Sequence, residues 1–317
     1  MSSPARFSLP PRLTRRGREN LNGYLLSGPS LLAVVVVVVL PFLAVVVFAF
    51  AEIRLIDIPR LSLSNIDWTL DNFARAMQSG AFWGALWTTV SYATFTTIGS
   101  IGAGLAVALA MRRPFRGRGI ARAALLVPYV LPVIAAATIW RTMLNTQYGV
   151  VNVFGVEVLG WERPIGFLST TTMDIAGAPI PVALSTVIAF EIWKTAPLAF
   201  LFITARLQSI PGDIEEAAKI DGANSRQILG RIIMPQLRAV VLLVILLRFI
   251  WSFQSFADIY LLTRGGGGTE MMAIKVYTEL ITRADIGSAA AYGVLMSAIL
   301  TVLLIAYVAL SRRKEES

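Results

Sequence analysis

The sequence predicts an all-α integral membrane protein with six transmembrane helices and both termini in the cytoplasm. Three observations carry that expectation: the abundance of apolar residues, their gathering into six long runs, and the sidedness of the arginines between the runs. The hydrophobic set makes up 56% of the 317 residues, and charged residues only 15%. On the usual apolar count, which drops Tyr and adds Gly, the share is roughly 61%, against about 45–50% in a soluble domain. Mean hydropathy is +0.69. A chain with so little charge does not cover its surface for water.

Crossing the apolar core of a bilayer takes about 20 residues of helix, and each run meets that length. The first, Tyr24–Phe50, follows a basic arm over residues 1–23. Its valine run Val34–Val39 has the β-branched density of a strand, but the segment is far too long for one and reads as a lipid-facing helix. It is also about twice the length of a signal-peptide core, so it is expected to remain as a span rather than be cleaved near Ala49-x-Ala51. The second run is Gly84–Met111. The third, Ile120–Met143, carries Pro128 and Pro132, and the fourth, Pro179–Ile203, carries Pro197; these prolines are expected to bend or hinge their spans, with neighbouring groups satisfying the freed carbonyls. The fifth is Pro235–Leu262 and the sixth Ile286–Leu310, so the membrane domain covers 24–310 and a short tail 311–317. Trp83, Trp87 and Trp140 fall near the outer ends of their spans, as an aromatic belt places them.

Of the 28 lysines and arginines, 18 fall on one side of these runs. They are Arg6, Arg12, Arg15, Arg16 and Arg18 in the arm, Arg112, Arg113, Arg116, Arg118 and Arg122 between the second and third runs, Arg206, Lys219, Arg226, Arg231 and Arg238 between the fourth and fifth, and Arg312, Arg313 and Lys314 in the tail. The positive-inside rule puts that side in the cytoplasm. The net charge of +9 is therefore topology and not a nucleic-acid footprint. Cys and His are both absent. That excludes disulfides, thiolate nucleophiles, histidine triads, His/Cys zinc sites and haem sites, and neither a catalytic residue nor a metal site is expected. No G-x4-G-K-[ST] phosphate loop is present. The Gly265–Gly268 run lacks the following Lys and lies on the outer side.

Charges inside spans are costly, about 2.5–3.5 kcal/mol near the bilayer centre on insertion scales, so they are expected to face protein or a watery cavity. Counted inward from opposite ends, Glu191 and Arg248 both lie near mid-depth and are expected to pair. Lys194, one helical turn from Glu191, is the rival partner.

The connection at about 208–235 is the most informative stretch. Pro211 suits the start of a helix, and Asp213, Glu215 and Glu216 follow in its early turns, where they complement the helix dipole. Gly222 permits a left-handed turn, Asn224 or Ser225 suits the cap of a second helix, and Pro235 opens the fifth span. This predicts a helix–turn–helix on the cytoplasmic face. Glu216-Ala217-Ala218, three residues, Gly222, nine residues, Ile232, one residue, then Met234-Pro235 closely resembles the EAA loop of binding-protein-dependent ABC importer permeases, EAA-x3-G-x9-I-x-L-P. The one departure, Met234 for Leu, conserves volume. Asp221 and Ala223 resemble the sugar-permease version, EAA-x2-DGA. Val127–Trp140, Gly149–Asn152, Glu191–Pro197 and Phe256–Gly267 are similar to carbohydrate-uptake permeases, the last to the first-permease half of maltose and glycerol-3-phosphate type systems.

The resemblance, over roughly residues 20–312, implies a type I ABC importer permease fold in a bacterial cytoplasmic membrane. It also implies a pseudo-symmetric heterodimer with a second permease, two cytoplasmic ATPase subunits that bind ATP and Mg, an extracytoplasmic solute-binding protein and a sugar or glycerol phosphate as cargo, with membrane lipid around the spans. Glu216, Ala217, Ala218, Asp221, Gly222, Ala223 and Pro235 are the ATPase-coupling residues it implies. Along the fifth span, Arg248, Ser252, Ser255 and Ile259 form one stripe and Trp251, Ser255 and Asp258 an adjoining one. Trp251, Gln254, Ser255 and Asp258 thus supply hydroxyl-bonding groups beside aromatic faces, as a sugar path needs; structural pairing is the competing reading. Two other functions compete with the importer reading. An ion-coupled secondary transporter makes the loop a coincidence. A membrane-embedded lipid-processing enzyme leaves Asp213, Glu215 and Glu216 without a basic or metal-ligand partner motif.

Overall fold

The computed structural model describes residues 26–60, 66–112, 114–175 and 177–313. The basic arm with Arg6, Arg12, Arg15, Arg16 and Arg18, the expected span start at Tyr24, Arg113 and Lys314 lie outside the described residues. The described chain is mostly helical. Five helices are long and apolar enough to cross a membrane: α1 (Leu26–Ala49), α3 (Gly80–Ala110), α7 (Val182–Gln208), α9 (Ser225–Phe253) and α12, which is apolar over Ile286–Ala309 and runs on to Arg313. A bent pair, α4 (Arg118–Val130) and α5 (Val133–Met143), raises the number of spans to six if it crosses as one. Shorter helices complete the order: α2 (Asp71–Gln78), α6 (Val150–Glu157), α8 (Gly212–Ile220), α10 (Ala257–Leu262) and α11 (Met272–Tyr277). A small antiparallel hairpin, β1 (Met173–Ile175) with β2 (Ala178–Ile180), pairs Asp174 with Pro179.

Four sequence expectations need correction. The fourth span starts at Val182, because Pro179 lies in the hairpin that precedes it. The third is two helices at 98° to one another. Leu131 and Pro132 both leave the helical region, at ψ 135 and 134, as expected of a residue crowded by the following proline ring and of a proline capping the next helix. Pro128 and Pro197, in contrast, sit inside unbroken helices. The fifth span begins ten residues earlier than Pro235 and ends at Phe253 instead of Leu262. Finally, Trp140 does not stand exposed as a belt residue; it is half-buried against Phe190 and Trp193, with ring centroids 5.4 and 5.7 Å away. Trp83 and Trp87 are exposed, at 58% and 73%.

Among the described residues, α3 and α7 share the largest helix–helix contact. Without a hydrophobic drive between helices in lipid, such contacts depend on small residues that let backbones close in. A Cβ on Gly104 would stand 2.7 Å from both Ala199 Cβ and the Phe200 amide nitrogen, so only glycine fits there. Buried hydroxyls on α3 satisfy themselves locally: Thr89 and Thr96 each donate to the carbonyl one turn back, at 2.7 Å. The three largest apolar clusters among the described residues surround this pair. One joins Phe82 and Ala93 of α3 to Phe253, Met272 and Tyr292. A second packs Tyr92, Val187, Phe190 and Ile259 with Ala136 and Ala137 of α5. The third, Phe200, Ile203, Leu207, Ile228, Ile233 and Leu237, sits at the end that carries α8. α1 lies apart: none of its most apolar window is buried, and its packing comes from the half Leu40–Ala49 against α12.

Candidate coupling loop and intramembrane charge network

α8 starts after Pro211, which serves as N-cap with extended ψ 134. Its end is a full glycine-based C-cap. Gly222 takes φ +82, its N–H donates to Lys219 O at 3.0 Å, and the Ala223 N–H donates to Ala218 O at 2.9 Å. These are the two bonds that satisfy the last free carbonyls of a helix when a left-handed residue follows it. Asn224 then caps α9 reciprocally with Gln227, at 3.0 and 2.8 Å. The second helix of the loop and the fifth span are therefore one rod. Pro235 does not open that span; it follows a π-helical turn, Leu229–Ile233, in which the Met234 N–H reaches back five residues to Leu229 O.

The two faces of α8 differ. Ala218 packs against the third apolar cluster, as does Ala223 beyond the turn. Glu215 turns inward too and forms an ion pair with Arg112 at the end of α3. Asp213, Glu216, Ala217 and Ile220, at i, i+3, i+4 and i+7, share the opposite face and are all exposed, Ile220 by 86%. Asp221 and Gly222 are exposed at the turn. The Arg112–Glu215 pair was not foreseen, since it joins residues a hundred positions apart; the only hint was that Glu215 points off the EAA face.

Inside the spans, Glu191 accepts from Arg248 Nη2 at 2.9 Å, and its other carboxylate oxygen lies 3.0 Å from Lys194 Nζ. The two candidate partners are thus both used. Lys194 also pairs with Asp258, so two cations and two carboxylates alternate in one chain of contacts and cancel. Arg248 donates further to Ser252 Oγ at 3.2 Å, and Ser255 Oγ donates to Asp258 Oδ2 at 3.3 Å. Lys194 Nζ lies 5.6 Å from the Phe190 ring centroid. Glu191 and Arg248 are 4% and 3% exposed, so neither is left to lipid. The network ties α7, α9 and α10 together.

The expected stripes along span five do not form, because the helix ends at Phe253 and the chain turns through Gln254–Phe256 before α10. No glycine or proline marks that break. It falls in a polar run whose side chains bond locally, an alternative to the helical ladder. Asp258 consequently sits on α10 within the charge network, Ser255 lies in the turn, and Trp251 and Gln254 are exposed. Gln254 lines a cavity of about 310 Å³ with Phe256 and the small residues Gly293 and Ser297 of α12.

The fold and this loop define a class, and sequence comparison gives it a name. The chain belongs to the family of binding-protein-dependent transport system inner membrane components, whose model matches residues 100–316. Among its relatives, the inner membrane ABC transporter permease protein YcjO of Escherichia coli is 33% identical over 295 residues, 92% of each chain. The trehalose/maltose transport system permease protein MalF of Thermococcus litoralis is 31% identical over 300 residues, 94% of this chain and 96% of that one. The fold also matches a crystal structure of a bacterial ABC transporter involved in import of the acidic polysaccharide alginate, with TM-score 0.80 and 19% identity over 95% of this chain and 99% of that one. The protein is an ABC importer permease of the inner membrane, and the ion-coupled transporter and lipid-processing enzyme readings fall away.

Proposed function

We propose that this chain is one transmembrane subunit of an ATP-driven, binding-protein-dependent sugar importer, with the α8 face in the cytoplasm. The observation that carries the reading is the construction of α8. One face is fastened to the membrane domain through Ala218, Ala223 and the Glu215–Arg112 pair, while Glu216, Ala217 and Ile220 stand unused on the other. A helix held so firmly on one side and left bare on the other suits docking to an ATPase subunit, which would bind the ATP and Mg. Asp221, Gly222 and Ala223 set the turn that aims it, and Pro235 belongs to the rod behind it. Closure of two such ATPases would push α8 and move α9, and with it the charge network, opening the path to one side and then the other.

A second permease subunit would complete the path, and an extracytoplasmic solute-binding protein would deliver the cargo. The sugar class rests on the named relatives, among them the trehalose/maltose permease and a sulfoquinovosyl glycerol permease of Agrobacterium fabrum. Trp251 and Gln254, exposed beside the network, are the candidate contacts for a disaccharide, an oligosaccharide or a glycerol phosphate. Ser255 and Asp258 act mainly in holding Lys194. Purification of tagged protein with its neighbours, followed by ATPase assays with candidate sugars, tests the proposal. Recovery of an ATPase, a second permease and a binding protein with sugar-stimulated hydrolysis is expected; transport in liposomes by this chain alone without ATP would overturn it.

A further inference from the structure

At the end of the molecule opposite α8, the chain leaving α1 runs extended and alternates sides. Ala51 and Ile53 are buried, while Phe50, Glu52 and Arg54 face outward. Bridges from Ala51 to Trp68 and from Arg54 to Asp285 hold this segment in place. Its outward side borders two hollows. Phe50 belongs to an open groove of about 700 Å³ along the end of α1, with Val46, Val47, Trp68 and Leu70. Glu52 and Arg54 belong to a polar cavity of about 430 Å³ between α2, α11 and the start of α12. An apolar trough thus leads, two residues along one strand-like segment, into a charged cup at the membrane boundary.

The cup carries four cations, Arg54, Arg75, Lys275 and Arg283, against three carboxylates, Glu52, Glu279 and Asp285. Glu279 is engaged by Arg283 at 2.9 and 3.2 Å, and Asp285 accepts from the Ser288 N–H and hydroxyl at 2.8 Å. Lys275 is the exception. It is 6% exposed, yet its nearest carboxylate oxygens, on Glu279 and Glu270, lie 3.7 and 3.9 Å away, beyond hydrogen-bond range. Those two carboxylates neutralise the ammonium as distant ion partners, and its three donors are left to what enters the cup. An ammonium with no hydrogen-bonded acceptor that faces the cup, the Arg54 and Arg75 guanidiniums lining the same cup and an adjoining acyl-sized groove share a single complement, a phosphodiester with a hydrocarbon tail.

We propose that the cup and groove hold one glycerophospholipid from the leaflet opposite the α8 face. Its phosphodiester lies on Lys275 with Arg54 and Arg75 around it, and an acyl chain lies along Phe50 and Trp68. The test takes the full chain from vesicles of phosphatidylglycerol and phosphatidylcholine, or from vesicles in which a neutral diacylglycerol glycolipid replaces both, and weighs it with its adducts by native mass spectrometry in mild detergent. One retained phospholipid per chain is expected, with occupancy at least about tenfold lower in K275Q, the scale of a lost charged hydrogen bond. R54Q, which changes an exposed side chain and keeps the backbone bonds of that position to Asp57, should lower it roughly two- to fivefold, as a surface charge does, so the test survives if K275Q fails to fold. W68S should weaken retention without touching the cup. Equal occupancy in all variants, glycolipid held as well as phospholipid, or an adduct of inorganic phosphate alone would each overturn the proposal.

Discussion

At the scale of single residues, the molecule concentrates its sensitivity in a few positions. Gly222 holds φ +82 at the turn of the proposed coupling loop, with open space around it. A valine there meets no neighbour but is forced into a conformation that costs an L-residue about 1–2 kcal/mol and a β-branched one more. Gly222→Val should therefore insert normally, by membrane fractionation, and lose most uptake. Glu191 and Arg248 behave differently, since each neutralises the other within a buried network. Removing one partner of such a pair costs about 3–5 kcal/mol, whereas replacing both with apolar residues of like size is often neutral. Arg248→Met should lower the melting temperature in detergent, and adding Glu191→Met should leave Lys194 and Asp258 as a balanced pair and recover part of the loss. A double variant no more stable than the single one would show that the pair is not the unit. The depth of Glu191 and Arg248 was legible in the sequence, because each sits mid-run among apolar residues. The link from Lys194 to Asp258 was not, because it depends on a helix break that no glycine or proline announces.

At the scale of elements, the same chemistry recurs in α1 and α9. Both contain a five-residue π turn, Val35–Val39 and Leu229–Ile233, that ends two residues before a proline, Pro41 and Pro235. In each, the residue before the proline donates to a carbonyl five back. The wider turn makes room where a proline ring would otherwise clash with the preceding turn, so both helices continue through it, α1 as the apolar run predicts and α9 where the sequence reading opens the span at Pro235. α9 becomes a rod of 29 residues, with about 35 Å between Ser225 and Arg248 at 1.5 Å per residue. Inserting one alanine after exposed Ala239, in the α-helical part of the rod beyond that turn, rotates α8 by roughly 100° about the rod relative to Arg248. Membrane insertion should persist and ATP-coupled uptake should vanish. The Arg112–Glu215 strut joins α8 to α3 as α9 joins it to the network. Arg112→Glu or Glu215→Arg alone should reduce sugar uptake per ATP hydrolysed, and the charge-swapped double variant should restore it in part. An uptake-to-hydrolysis ratio unchanged in both single variants would remove the strut from the coupling route. Helix existence was readable from apolar runs, caps and the glycine turn; the strut was not, because an ion pair between distant segments leaves no local pattern.

At the scale of the whole molecule, the six apolar runs and their order were legible, because bilayer thickness imposes a length that composition alone reveals. What composition hides is which runs form the packed body and which attach to it. α3, α7 and α9 form that body, and α1 attaches at one end. Its connections are Ala49 against Ala290 and Ala291 and the buried Asn72 amide, which donates to Ala49 O and Ala51 O at 3.2 and 2.9 Å. The half of α1 before Leu40 buries no residue against the rest of the described molecule. The 24 residues of α1 extend about 36 Å, more than the roughly 30 Å of an average hydrocarbon core. A helix longer than its membrane tilts, and one fastened at a single end tilts about that end like a mast stepped in its socket. Thinning the bilayer should thus swing α1 through a wider angle while the packed body keeps its shape, leaving the membrane's dimensions to be read by the first helix alone.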